Sequence, residues 1–156
     1  MIRLCEREDR TVWKQLNIEF MRYEYQDGNV WQDPQDKGDP DEIFSLIIDE
    51  PNSPNRLYVI EEGAQIVGFM NTSWFFSVWA HGKALLLDDL YIRKDMQGQG
   101  IGSRALSELE NLLKKEGFER IQLLAEDTNP GAVKFYEREN YSPQKLTFFC
   151  KYLQED

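Results

Sequence analysis

The segment Gln97-Gly98-Gln99-Gly100-Ile101-Gly102 joins an apolar, β-rich run, Ala84 to Ile92, to a stretch with helical periodicity, Ile101, Ala105, Leu106, Leu109, Leu112 and Leu113. Glycines at three alternate positions leave backbone N–H groups uncovered between a strand end and a helix start, where the helix dipole adds positive potential. Such a turn suits a diphosphate. A Walker A loop needs Gly-Lys-Ser/Thr after its glycines, whereas this segment continues Gly102-Ser103-Arg104. A dinucleotide-binding GxGxxG loop is also a poor match, because the third glycine comes one residue too soon and no acidic residue ends a strand at the right distance.

Around this turn the chain alternates strand and helix signals. Ile2 to Cys5 reads as a first strand, and Asp9 as the N-cap of a helix with apolar positions Val12, Trp13, Leu16, Ile18, Phe20 and Met21, ending by Gly28. Gln26 to Pro40, with Asp27, Asp33, Asp36 and Asp39, reads as a loop, followed by a short helix over Asp41 to Ile48. Leu57–Ile60 and Ile66–Met70 flank Glu62-Gly63 as a hairpin, and Ala84 to Ile92 is a third strand. Gly117 closes the glycine-led helix, Arg120 to Leu124 is a strand, Asn129-Pro130 opens another helix, and Lys145 to Leu153 reads as a final strand. The reading is a single α/β domain over residues 1–156.

At 156 residues a domain buries roughly 68–70% of its unfolded surface, and 41% apolar residues suffice for a core. The net charge of −10 repels phosphate backbones and anionic lipid, so nucleic acid and membrane are poor partners; it reads first as a charge that serves solubility and second as a field that favours a cationic amine. Cys5 and Cys150 lie near opposite ends without metal-knuckle spacing, and His81 is the only histidine. No metal site and no Ser-His-Asp hydrolase is expected. The N-terminus lacks the apolar run of a signal peptide and no window approaches about 18 apolar residues, so the protein reads as soluble and cytoplasmic.

Gln97, Gly100 and Gly102 occupy the marked places of the Q/R-x-x-G-x-G/A loop of the GNAT superfamily of N-acetyltransferases, which this chain resembles. Leu87-Asp88-Asp89-Leu90-Tyr91-Ile92 looks like the family's central strand, and Asn129-Pro130-Gly131-Ala132-Val133-Lys134-Phe135-Tyr136-Glu137 looks like its second motif, N-x-x-A-x-x-F/L-Y-E. The nearest flavour is the diamine and polyamine acetyltransferase branch. Two departures stand out: Asn140-Tyr141 replaces the frequent Gly-Phe, and Asp88 stands where the branch usually has Glu.

The resemblance implies a central mixed, mostly antiparallel sheet of about six or seven strands, splayed at the central strand and flanked by about four helices. It implies acetyl-CoA as co-substrate, its pantetheine arm on backbone groups of Leu90, Tyr91 and Ile92. The diphosphate would rest on Gln97, Gly98, Gln99, Gly100, Ile101, Gly102 and Ser103, mostly through N–H groups, with Asn129 and Tyr136 also near the cofactor. Side-chain swaps at Gln99 should then matter little, while a β-branched residue at Gly100 or Gly102 should block close approach.

Acetyl transfer needs a neutral amine and a proton for the departing thiolate, and a primary amine is protonated at neutral pH. The resemblance assigns Asp88 as base or amine anchor and Tyr136 as the acid at sulfur; Tyr136 also reads as a helix tyrosine that packs its ring in the core with its hydroxyl at the rim. Strand alternation puts Asp88 with Leu90 and Ile92, and Asp89 with Tyr91, so only one carboxylate faces the cleft; Asp88 also reads as a carboxylate satisfied at a strand edge. Asn129 reads first as a helix cap. Trp74, Phe75, Phe76 and Trp79 read as core or dimer packing, or as an apolar wall for the acceptor, and His81 as a solvated residue. The acidic loop, with Glu24, reads as solvated surface or as a cation site. The leading function is acetylation of a small-molecule primary amine. The alternatives are acetylation of a protein or peptide amine and a non-catalytic CoA-binding or interaction module. A homodimer is expected.

Overall fold

The computed structural model describes residues 1–25, 33–34 and 38–153. Asp27, Gly28 and Asp36 of the expected acidic loop and helix end lie outside the described residues. The strands are β1 (Ile2–Leu4), β2 (Asn55–Glu62), β3 (Gln65–Ser77), β4 (Gly82–Ile92) and β5 (Phe118–Leu123), and the helices are α1 (Arg10–Glu24), α2 (Pro40–Ile48), α3 (Ile101–Lys115) and α4 (Pro130–Arg138). Sheet order is β1-β2-β3-β4-β5, antiparallel from β1 to β4, with β5 parallel to β4.

Each face of the sheet carries a helical layer. Ile101, Ala105, Leu106, Leu109 and Leu113 of α3 are buried against Tyr58, Ile60, Met70, Leu85 and Leu87. On the other face, Trp13 and Leu16 of α1 and Phe44 of α2 are buried against Leu57, Val59, Phe69 and Tyr91. Alternation along β2 explains the sorting, since Leu57 and Val59 serve one layer and Tyr58 and Ile60 the other. Each such side chain contributes roughly 1.5–3 kcal/mol when fully buried.

Several expectations need correction. Among the described residues the sheet has five strands, because Lys145 to Leu153 joins no ladder. Helix α1 ends at Glu24, within the expected bound of Gly28. Asp9 holds the N-cap position but makes no side-chain cap there; its carboxylate accepts from Arg3 Nη1 and Nη2 at 2.6 and 3.0 Å and from the Glu6 N–H at 2.7 Å. Strand β3 runs on to Ser77, so the aromatic cluster divides. Trp74 packs edge-on against both Phe76 and Phe118, with ring centroids 5.6 and 6.3 Å apart, while Phe76 and Trp79 remain 75% and 96% exposed. His81, in the turn between β3 and β4, takes a left-handed φ of 56°.

Strand β4 departs from regular pairing on both of its edges. Its pairing with β5 runs only from Lys83↔Phe118 to Leu87↔Leu123, while β4 itself continues to Ile92. Its pairing with β3 skips Asp88, with Thr72↔Leu87 followed by Asn71↔Asp89. That extra residue is a β-bulge, which shifts the phase of the strand. Leu85 and Leu87 face the α3 layer before it, and Leu90 and Ile92 after it. The alternation that set Asp88 beside Leu90 and Ile92 is therefore interrupted at Asp88 itself. Among the described residues no helix is long and apolar enough to cross a membrane.

Candidate active site

Beyond Leu87 the β5 side of β4 has no partner strand among the described residues, so Asp88 to Ile92 border a gap in the sheet. The α3 N-terminus stands at the Ile92 end of this gap. A 3-10 turn over Lys94–Met96 leads there, and the Gln97 side chain donates to the Ile92 carbonyl at 2.7 Å, tying the glycine turn to the strand end. Gln97 thus positions the loop through its side chain.

Gly98 and Gly100 have φ of 76° and 74°, a region that costs an L-residue about 1–2 kcal/mol. With Gly100 as N-cap, the first intrahelical bond runs from Arg104 N–H to the Gly100 carbonyl, leaving the amides of Ile101, Gly102 and Ser103 at the helix start without intrahelical acceptors. Gly102 faces another helix. A Cβ there would lie 3.5 Å from Phe135 Cζ, ordinary contact, so it is the tight packing of α3 on α4 that a larger side chain would disturb. The Ser103 hydroxyl donates to Glu139 Oε1 at 2.5 Å, which puts a carboxylate where the helix dipole favours an anion.

Helix α4 forms another wall of the gap. Asn129 caps it, its Oδ1 accepting from the Ala132 N–H at 3.1 Å, and Pro130 occupies the first turn without losing a bond. The helix ends in a Schellman-type turn: Asn140 takes φ 68°, the Tyr141 N–H donates to the Tyr136 carbonyl at 2.9 Å, and the two tyrosine rings pack 5.8 Å apart. Asparagine thus does the work of the expected glycine. Tyr136 is half-buried against the α3 layer and touches Phe135, centroids 5.0 Å apart.

Helix α1 brings Glu24, whose two carboxylate oxygens lie 3.5 and 3.4 Å from Asn129 Nδ2. Burial pushes the Glu24 carboxyl up, the Asn129 contact pulls it down, and Glu126 adds a smaller upward push. Asp89 is half-buried and pushed up to about 6, first by burial and then by the charge of Asp88, with Asn71 pulling the other way. Asp88 is exposed, its carboxyl raised by partial desolvation. The Tyr136 hydroxyl is pushed up to about 12, by burial first and then by the charges of Asp89 and Glu24. A carboxylate facing the α1 layer thus acts on a tyrosine of the α3 layer, next to the gap in the sheet.

What holds Asp89 was not foreseen. Asn71 Nδ2 donates to Asp89 Oδ2 at 2.8 Å and also lies 2.9 Å from Asn17 Oδ1, while Trp13 Nε1 donates to Asn71 Oδ1 at 3.0 Å. Asn17, 1% exposed, anchors the chain of bonds by donating to the Trp13 carbonyl at 2.8 Å. The available signal was an asparagine within the apolar stripe of a helix and another in the middle of a strand. Among the described residues no group of three or more His, Cys, Asp or Glu side chains is placed to hold a metal ion.

A family model, acetyltransferase (GNAT) family, matches residues 13–141, a span that includes the open half of β4, the glycine turn and α4. The chain belongs to the GNAT acetyltransferase family. Its relatives include thialysine N-epsilon-acetyltransferases of Sus scrofa and Bos taurus, 29% and 26% identical over 95 residues, in each case 61% of this chain and 51% of the relative. The chain thus spans about half the length of the curated relatives it matches. Solved structures with this fold include an aminoglycoside acetyltransferase from an uncultured soil metagenomic sample, in complex with sisomicin, at TM-score 0.77 and 17% identity, covering 99% of this chain and 96% of that one. A possible acetyltransferase from Clostridium difficile 630 matches at TM-score 0.80 and 16% identity, over 99% and 98%. At such identities these two bear on the fold alone.

Proposed function

We propose that this GNAT-family chain is an acetyl-CoA-dependent N-acetyltransferase whose acceptor is a small-molecule primary amine. The observation that carries the reading is the half-matched β4, which offers an unpaired strand edge ending at a helix start with free amides. A pantetheine arm, which has amide groups of its own, suits the edge of Leu90, Tyr91 and Ile92, and a diphosphate suits the amides of the turn from Gly98 to Ser103. Gln97 fixes the turn and Asn129 fixes α4. Acetyl-CoA supplies the activated acetyl group.

The protein's own part is to move two protons. Asp88, exposed at the bulge, anchors the ammonium group and draws it toward the gap. Asp88 or Asp89 then accepts a proton from it, directly or through water, so that a neutral amine is available to attack. Asp89 suits that task because its elevated proton affinity makes it the more basic carboxylate while leaving it ionised above about pH 6. The Tyr136 phenol, held protonated throughout the neutral range, donates to the departing sulfur. Glu24 adds negative charge on the amine side. The name of the thialysine N-epsilon-acetyltransferases, which act on an amine-bearing small molecule, supports this acceptor class.

The test is thiol release from acetyl-CoA across diamines, polyamines, aminoglycosides, lysine analogues and basic peptides, alongside calorimetry with CoA. Turnover with small amines supports the proposal. Tight CoA binding without turnover of any acceptor would leave a binding module, and turnover confined to peptides would move the acceptor to a protein.

A further inference from the structure

The hydrogen bonds that hold Asp89 belong to a closed ring that begins and ends on one residue. Trp13 Nε1 donates to Asn71 Oδ1 at 3.0 Å, Asn71 Nδ2 donates to Asn17 Oδ1 at 2.9 Å, and Asn17 Nδ2 donates to the Trp13 carbonyl at 2.8 Å. An indole N–H can only donate and a carbonyl can only accept, so both amides are fixed in one orientation. The second proton on Asn71 Nδ2 goes to Asp89 Oδ2 at 2.8 Å. Turning the Asn71 amide over would set its oxygen against the Asp89 carboxylate and its NH2 against the indole N–H. The ring therefore always presents a donor to Asp89.

A polar ring is a costly way to join two elements. Helix α1 packs on β3 through Trp13, Leu16 and Phe69, and Asn17 is fully enclosed beside them. Burying an amide carries a desolvation penalty that a leucine of similar volume does not. What a leucine cannot do is offer an N–H. Asp88 supplies the contrast: it stands exposed at the bulge, with no hydrogen bond or ion pair among the described residues. Of two neighbouring carboxylates at the gap, one is held and the other is not.

We infer, on the acetyltransferase reading above, that the Trp13–Asn17–Asn71 ring is a positioning device that makes Asp89, and not Asp88, the carboxylate that takes the proton of the acceptor ammonium, with Oδ1 as the receiving atom. In that step the N–H bond breaks, its electron pair stays on the amine nitrogen, and the proton moves to Oδ1 while Oδ2 keeps its bond to Asn71. No member of the ring titrates, so the proton cannot leave along it and returns to water from Oδ1. Burial, Asp88 beside it on β4 and Glu24 from α1 all favour a protonated Asp89, and Tyr136 of α4 feels its charge in turn; Asn71 is the group that opposes them. The ring thus keeps the base ionised, and Asp88 is left as the anchor.

The test measures kcat and KM against pH with a small amine. Asp89→Asn should lower kcat by roughly 10²–10⁴-fold, whereas Asp88→Asn should act on KM rather than kcat. Asn71→Leu should move the acidic limb of kcat up by about one to two pH units, the worth of a hydrogen bond to a charged group, and regain the parent kcat above it. A merely structural role would lower the plateau at every pH instead. Trp13→Phe keeps a ring against Phe44 but frees the Asn71 amide to turn, and should move the limb the same way. Should neither of these two fold, the Asp88 and Asp89 variants decide. A loss of kcat in Asp88→Asn that equals or exceeds that in Asp89→Asn overturns the assignment, as does a limb that stays in place in Asn71→Leu. A parent chain that releases no thiol with any amine refutes the acetyltransferase reading itself, and the assignment with it.

Discussion

Asn71 donates to Asp89 across the first β3–β4 register pair after the Asp88 bulge, so the amide bond and the bulge act on one carboxylate from opposite directions. Asp88 adds a negative charge that raises Asp89, and Asn71 lowers it. Asp88→Asn should therefore shift the Asp89 titration below about 6, and Asn71→Leu should shift it above. Carboxyl-carbon NMR reads both shifts directly. An Asp89 that titrates near 3.8 in the parent protein would contradict the arrangement.

The same carboxylate makes stability depend on pH. Asp89 keeps its proton up to about 6 when folded but only to about 3.8 in the unfolded chain. The penalty for its charge is thus fully present above pH 6 and is relieved as pH falls toward 3.8. Asp89→Asn should stabilise the fold at pH 8 by at most about 3 kcal/mol, less after solvent screening, and the gain should shrink toward zero near pH 4. Urea denaturation at the two pH values checks this; a gain that is larger at pH 4 reverses the sign.

Tyr136→Phe removes only the phenolic oxygen and keeps the ring between Phe135 and Tyr141. Turnover should fall by roughly 10²–10⁴-fold, the usual worth of a general acid, with the affinity for CoA unchanged. Steady-state rates with calorimetry separate the two. Unaltered turnover would remove Tyr136 from the chemistry.

Gly100→Val places a β-branched side chain at φ 74° and should cost about 1–2 kcal/mol of stability together with measurable CoA binding. Gly102→Ala, whose added methyl meets only ordinary contact with Phe135, should retain binding. Calorimetry on the pair distinguishes a backbone requirement from a general intolerance of the turn.

Glu139, bonded to Ser103 and 3.6 Å from Arg138 Nε, would compete with a diphosphate bound at the start of α3. Glu139→Gln should lower stability by about 0.3–1 kcal/mol, the worth of a charge at a helix N-terminus, and tighten CoA binding roughly two- to five-fold. Weaker binding in the variant would mean that Glu139 organises the site.

Most of what positions the site could be read from sequence because it is local. The glycine turn, the periodicity of α3 and the Asn129-Pro130 start of α4 each specify their own backbone. Asn140, noted in the sequence only as a departure, keeps the turn after α4 because asparagine tolerates the left-handed region. The bulge at Asp88 was not, since no residue there demands one; it follows from fitting β4 against β3 and against two helical layers at once. The Trp13–Asn17–Asn71 bonds escaped notice because they join residues 54 and 58 positions apart in the chain. The final strand was expected from composition alone, but among the described residues Lys145 to Leu153 joins no ladder, because strand-forming residues do not by themselves supply a paired edge.

The phase shift in β4 makes Asp88 a spacer as well as a side chain. Without that one residue Thr72↔Leu87 and Asn71↔Asp89 would be consecutive pairs of a regular ladder, with Tyr91 and Ile92 still on their present faces. What the inserted residue adds is a carboxylate set out of the pairing, at the point where β4 loses its β5 neighbour.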